Sequence, residues 1–103
     1  MPVLARRYGD PAPCRLEIEG GKIARVSPVA EDELPDAALP YVAPGLIDIQ
    51  LNGYRGEDFT SPELTAEKVE AIARAVDSFG VRWFLPTLCT SSAKVLLHAL
   101  GTI

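Results

Sequence analysis

The strongest constraint on this chain is the run Val42-Ala43-Pro44-Gly45-Leu46-Ile47-Asp48-Ile49-Gln50-Leu51-Asn52-Gly53. Pro44-Gly45 breaks whatever precedes it, Leu46 to Ile49 is mostly apolar, and Asn52-Gly53 closes the run with turn chemistry. A short apolar run between breakers suits a strand buried on both faces, as in a parallel sheet. If Asp48, Gln50 and Asn52 alternate on one side, Gln50 and Asn52 face the mouth of that strand.

Beyond Gly53 the chain alternates between helix and strand. Tyr54 to Ser61 reads as a loop. Thr65 then caps a helix with Glu67 in its first turn and Val69, Ile72, Ala73, Val76 and Phe79 at helical spacing. Gly80 supplies a left-handed C′ residue after Phe79. The opposite face is charged, and Glu70 and Arg74 are spaced to pair. Val81 to Leu85 is β-branched and aromatic, a second strand limited by Pro86. Thr87 to Ser92 is a polar exit, and Ser92 caps a second helix bearing Val95, Leu96, Ala99 and Leu100, cut short by Gly101-Thr102-Ile103. Repeated strand and helix predict parallel strands with right-handed crossovers. Two such units cannot close a sheet, because a full (β/α)8 barrel takes about 250 residues. Either they pack on the preceding segment as a small α/β domain, or they open something longer.

The segment before Val42 is β-rich. Cys14, Leu16 and Ile18 alternate with Arg15, Glu17 and Glu19, and Gly20-Gly21 separates them from Lys22-Ile23-Ala24-Arg25-Val26. A Gly-Gly pair between two such runs predicts a β-hairpin over residues 15–26, since a primed turn needs positive φ at both central residues. Ser27 to Pro40 is acidic and carries Pro28, Pro35 and Pro40, which favours a solvated loop with a short edge strand before Tyr41. Its carboxylates Glu31, Asp32, Glu33 and Asp36 fit no calcium loop.

The 103 residues are 48% hydrophobic and 23% charged, a globular composition with net charge −4. With no basic stripe, nucleic acid is not an expected partner. No stretch has the apolar core of a signal peptide or the roughly 18 apolar residues of a membrane helix, so no membrane partner and a cytoplasmic location are expected. Cys14 and Cys89 form no CxxC spacing and read as free thiols in a reducing compartment.

Chemistry in a βα architecture sits at the C-terminal ends of strands. Two such places exist, Asp48 to Gly53 and Thr87 to Ser92. A strand-borne His-x-His would mark zinc, because imidazoles at i and i+2 project to the same side. The chain has Gln50-x-Asn52 there, and carboxamides hydrogen-bond water or substrate better than they hold a metal. These two residues are equally readable as a satisfied strand end and a turn. His98, the sole histidine, falls one residue off the apolar stripe of the last helix and reads as a surface side chain. Cys89 reads as a small buried thiol. No nucleophile elbow, phosphate-cradling loop or His-Glu-x-x-His occurs.

The run from Val42 to Gly53 resembles the opening barrel strand of the N-acetylglucosamine-6-phosphate deacetylases, an amidohydrolase family. Gly80 with Phe84-Leu85-Pro86-Thr87-Leu88-Cys89-Thr90-Ser91-Ser92 is similar to that family's second strand and exit, and Glu19 to Ile23 fits a hairpin of its small β-sandwich. The resemblance runs from about Arg15 to Ser92. It implies an α/β fold in which residues 1–43 form part of a β-sandwich and residues 44–103 the first βα units of an incomplete (β/α)8 barrel. It implies deacetylation of N-acetylglucosamine 6-phosphate to glucosamine 6-phosphate and acetate, with a small amino-sugar phosphate as partner and homo-oligomers possible. It also implies a divalent metal, zinc or similar, whose Glu and His ligands are supplied beyond this chain. Gln50 and Asn52 are then the active-site-proximal residues, contacting water or substrate, while no catalytic or metal-ligating residue is expected within the chain. The 103 residues alone are expected to be inactive. The rival from another class is a stand-alone, non-catalytic α/β domain that self-associates or binds a partner through an open sheet edge. A different amidohydrolase is disfavoured by the missing His-x-His.

Overall fold

The computed structural model describes residues 2–103. It is α/β, with mixed sheets and two helices, and divides into two compact units, Met1–Pro44 and Gly45–Ile103.

The first unit is a four-stranded sheet of β1 (Val3–Arg7), β2 (Pro13–Glu19), β3 (Lys22–Pro28) and β4 (Tyr41–Val42), in the order β3-β2-β1-β4. The hairpin between β2 and β3 turns at Gly20 and Gly21, with φ of 57° and 75°, as the Gly-Gly pair requires. Its register shifts between Glu17 and Ile18: Ile18 faces Ile23 but Glu17 faces Arg25, leaving Ala24 as the extra residue of a bulge. If the register next to the turn ran on unshifted, Ala24 would stand opposite Glu17 and Arg25 opposite Leu16. The bulge sets Val26 there instead and keeps one face apolar. On that face Ala5, Cys14 and Leu16 are buried and Val42 packs against them, whereas Ile18, Ile23 and Val26 stay exposed.

Strand β1 extends the sheet beyond the expected hairpin, pairing antiparallel with β2 and parallel with β4. The edge strand lies at Tyr41–Val42 rather than before Tyr41. Between β3 and β4 the acidic stretch makes one 3-10 turn, Glu31–Glu33. Arg6 donates to both carboxylate oxygens of Glu31 at 3.0 Å and pins this turn to the sheet.

The second unit holds β5 (Leu46–Leu51), β6 (Gly53–Tyr54), β7 (Glu57–Asp58), α1 (Ala66–Asp77), β8 (Val81–Pro86) and α2 (Ala93–Thr102). β5 and β8 pair in parallel, as the βα repeat predicts. Thr65 caps α1 by accepting from Lys68 N–H at 3.3 Å, and Ser92 caps α2 by accepting from Val95 N–H at 3.4 Å. Glu67, hydrogen-bonded to its own N–H and to the Thr65 hydroxyl, has its carboxyl pKa held low at the positive end of α1. Leu51, Phe59, Leu64, Ile72, Val76 and Ala99 are the buried core, with the Phe84 ring stacked on Phe59 at 6.1 Å.

Several expectations are corrected here. The segment after Asn52 is not a plain loop: β6 and β7 form a small hairpin turning at Arg55 and Gly56, with φ of 54° and 86°. Arg55 hid it, because that position usually signals itself with Gly or Asn. Helix α1 is capped at Ser78, so Phe79 lies past its end and is exposed, and Gly80 (φ 85°) comes one position later than expected. Helix α2 runs through Gly101 and Thr102, the Thr102 hydroxyl donating to His98 O at 2.8 Å.

The largest correction concerns β5. Only Leu51 of this strand is buried. Ile47 pairs with Trp83, and the residues two further on, Ile49 and Leu85, share their side of the sheet. These four are 65%, 70%, 77% and 59% exposed in that order. A strand is buried on both faces only when both are covered, and within this unit the core lies on one side alone.

Candidate functional site at the strand ends

The chain leaves β5 and β8 at the same end of a parallel pair, so their exits converge. Thr87 N–H donates to Leu51 O at 2.8 Å, closing the ladder between them. Past Leu51 the chain must turn at once into β6, and Gly53 permits this: a Cβ there would overlap the Glu57 carbonyl oxygen. Asn52 sits at this corner, half-buried. Its side-chain Nδ2 donates to Thr87 O at 3.3 Å and to Cys89 Sγ at 3.4 Å, while its carbonyl accepts from Phe59 N–H at 2.9 Å. Cys89 N–H in turn donates to Thr60 Oγ1 at 2.7 Å. Asn52, Cys89 and the Phe59-Thr60 segment thus form a closed ring of hydrogen bonds.

Gln50 stands outside that ring. It is exposed, and it bonds through its backbone N–H, to Asp48 Oδ1 at 3.0 Å. Gln50 and Asn52 flank buried Leu51, the last residue of β5, with Asn52 at the turn into β6. Asp48 pairs with Phe84 on the core side, and a register irregularity between Asp48 and Leu51 breaks the alternation that would have aligned all three. A hollow of about 470 Å³ lined by residues 52–58 opens beside Asn52.

Cys89 is exposed and free, not the buried thiol its composition suggested; it lies in the β8 exit, beyond the packed part of the strand. Its neighbours explain why sequence reasoning missed its setting, since Asn52 is 37 residues away and Thr60 is 29. Cys14 is free and buried in the first unit. His98 is exposed on α2 with Nε2 2.9 Å from Leu64 O, away from the strand ends. Of the hydroxyls in the exit, Ser92 is spent on its cap, and Thr87 donates to Leu85 O at 3.2 Å.

No three His, Cys, Asp or Glu side chains converge as a metal cluster among the described residues. The donor chemistry at the strand ends agrees, for Asn52 commits its amide nitrogen to the protein and carboxamides are poor metal ligands. These residues do not make up a metal shell by themselves. No helix among the described residues is long and apolar enough to cross a membrane.

Comparison with known proteins gives a consistent result, although no family model matches the chain. N-acetylglucosamine-6-phosphate deacetylase of Bos taurus is 43% identical over 73 residues, which is 70% of this chain and 18% of the relative. The Homo sapiens protein of the same name is 43% identical over 65 residues, 62% of this chain and 16% of the relative. That of Danio rerio is 37% identical over 65 residues. The matched part of the chain thus spans under a fifth of the length of these curated relatives, and over about 70% of its own length the chain is similar to N-acetylglucosamine-6-phosphate deacetylase.

Proposed function

We propose that this chain is the N-terminal part of a deacetylase acting on N-acetylglucosamine 6-phosphate, releasing acetate and glucosamine 6-phosphate. The observation that carries the reading is the 43% identity to deacetylases of that name, over a segment that includes most of the chain. The fold supports it independently. A two-stranded parallel sheet with Ile47, Ile49, Trp83 and Leu85 open to solvent is what two βα units offer before further barrel strands cover them. In this reading the first unit is part of a β-sandwich, and its open residues Ile18, Ile23 and Val26 await further strands.

Gln50 then faces the reacting groups from the end of the first barrel strand, where its carboxamide orients a water or a substrate polar group. The divalent metal implied by the family has its ligands in the part of the enzyme beyond this chain. Acetate release from N-acetylglucosamine 6-phosphate tests the proposal. The product of the complete reading frame releases acetate and loses activity on chelation, whereas residues 1–103 alone release none. Activity of the 103-residue chain, or inactivity of the complete product, sinks it.

The exposed sheet face also favours a second reading, a non-catalytic α/β domain that self-associates through it. Sedimentation of the purified chain separates the two. A discrete oligomer of fixed size supports the domain reading; indefinite association through the open face supports the fragment.

A further inference from the structure

Gln50 and Asn52 have the same chemistry and lie two positions apart where β5 ends, yet the structure uses them differently. Gln50 presents its carboxamide to solvent, whereas Asn52 spends its own on Thr87 O (3.3 Å) and Cys89 Sγ (3.4 Å). Asn52 is held on its backbone side as well, by Phe59 N–H at 2.9 Å, and Cys89 is tied to Thr60 Oγ1 at 2.7 Å. The Gly53 turn fixes the chain immediately after it. One residue thus joins the exits of both strands through its side chain and the segment leading into α1 through its backbone carbonyl.

We propose that Asn52 is a positioning residue. Its Nδ2 clips the end of β5 to the exit of β8, and the clip sets where Gln50 stands relative to the Thr87–Ser91 segment at the strand mouth. This deepens the proposed deacetylase reading and rests on it. Only the donor matters in this account. An aspartate has the shape of asparagine but, when ionised, cannot donate to a carbonyl oxygen. Asn52→Asp therefore removes the clip while leaving the volume unchanged, and Gln50→Ala leaves the clip intact.

Two measurements test the proposal together. In the 103-residue chain, Asn52→Asp accelerates amide hydrogen exchange at Thr87 and Cys89 by about tenfold or more while the α1 amides change little, and Gln50→Ala does not. In the complete enzyme, Asn52→Asp lowers kcat by about tenfold or more with KM held within about twofold, as expected of misplaced groups rather than lost binding. Loss of folded protein alone would neither lower kcat per active site nor accelerate exchange at these two amides selectively. Uniform acceleration of all amides, or unchanged kcat in an active enzyme, overturns the clip. If the wild-type complete enzyme releases no acetate, the deacetylase reading fails, and the positioning role with it, whatever the exchange data show of the fold.

Discussion

Gly53 has the least freedom of any residue at the strand ends. A Cβ at this position would overlap Glu57 O and approach Asp58 Cα to 2.8 Å, both of them backbone that cannot swing aside. Gly53→Ala is expected to destabilise the Gly45–Ile103 unit by about 4 kcal/mol, among the larger effects of single substitutions. A urea titration checks it, and a change under about 1 kcal/mol would contradict the close approach. A second residue-scale effect depends on pH. Bidentate hydrogen bonding to Arg6 holds the Glu31 carboxyl below the usual glutamate range. A carboxyl whose pKa is lower in the folded state stabilises at pH above its unfolded value, and that contribution is lost as pH falls through the folded value. Glu31→Gln should therefore lower Tm slightly at pH 7, and the difference should vanish as pH falls through the lowered folded value of the Glu31 carboxyl. The pair is exposed, so salt should shrink the difference.

At the scale of elements, α1 is where packing outweighs local preference. Ile72 is fully buried against Leu51, Phe59 and Leu64, while the Thr65 cap is exposed. Ile72→Ala is expected to cost about 2–5 kcal/mol and Thr65→Ala about 1 kcal/mol, an ordering that thermal denaturation resolves. The same contrast explains how far the sequence could be read. The β2–β3 hairpin, the capped α1 and the parallel pairing of β5 with β8 arise from signals within a few residues: Gly20-Gly21, Thr65 with its apolar stripe, and two apolar runs separated by a helix. The β6–β7 hairpin is just as local, but Arg55 stands where Gly or Asn would have signalled its turn, and the bulge at Ala24 sits in a hairpin whose alternation reads as regular. The exposure of β5 depends on what covers the sheet, which a local pattern does not carry. At the candidate site, strand-end placement made Gln50 and Asn52 visible. Their different hydrogen bonding was not, because it is set by Thr87, Cys89 and Thr60, and neither was the register irregularity between Asp48 and Leu51.

On the scale of the whole molecule, the open sheet face has its own reporter. Trp83 is the sole tryptophan, and it lies at the centre of that face, paired with Ile47. The 103-residue chain should emit as a hydrated indole and be quenched readily by iodide. In the product of the complete reading frame, emission should shift to the blue and iodide access should fall. Unchanged quenching in the longer protein would mean that nothing covers the face and would count against the incomplete-barrel reading.

The same open face has a meaning in time. A relative of which 73 matched residues are 18% is roughly 400 residues long, so on the proposed reading about 300 residues come after this segment. Ribosomes add about 5–20 residues per second, which leaves Ile47, Ile49, Trp83 and Leu85 uncovered for some tens of seconds during each round of synthesis. The capped helices and the tied strand exits let this first portion hold its shape meanwhile. On the proposed reading the uncovered sheet leaves it open to association until its neighbours emerge.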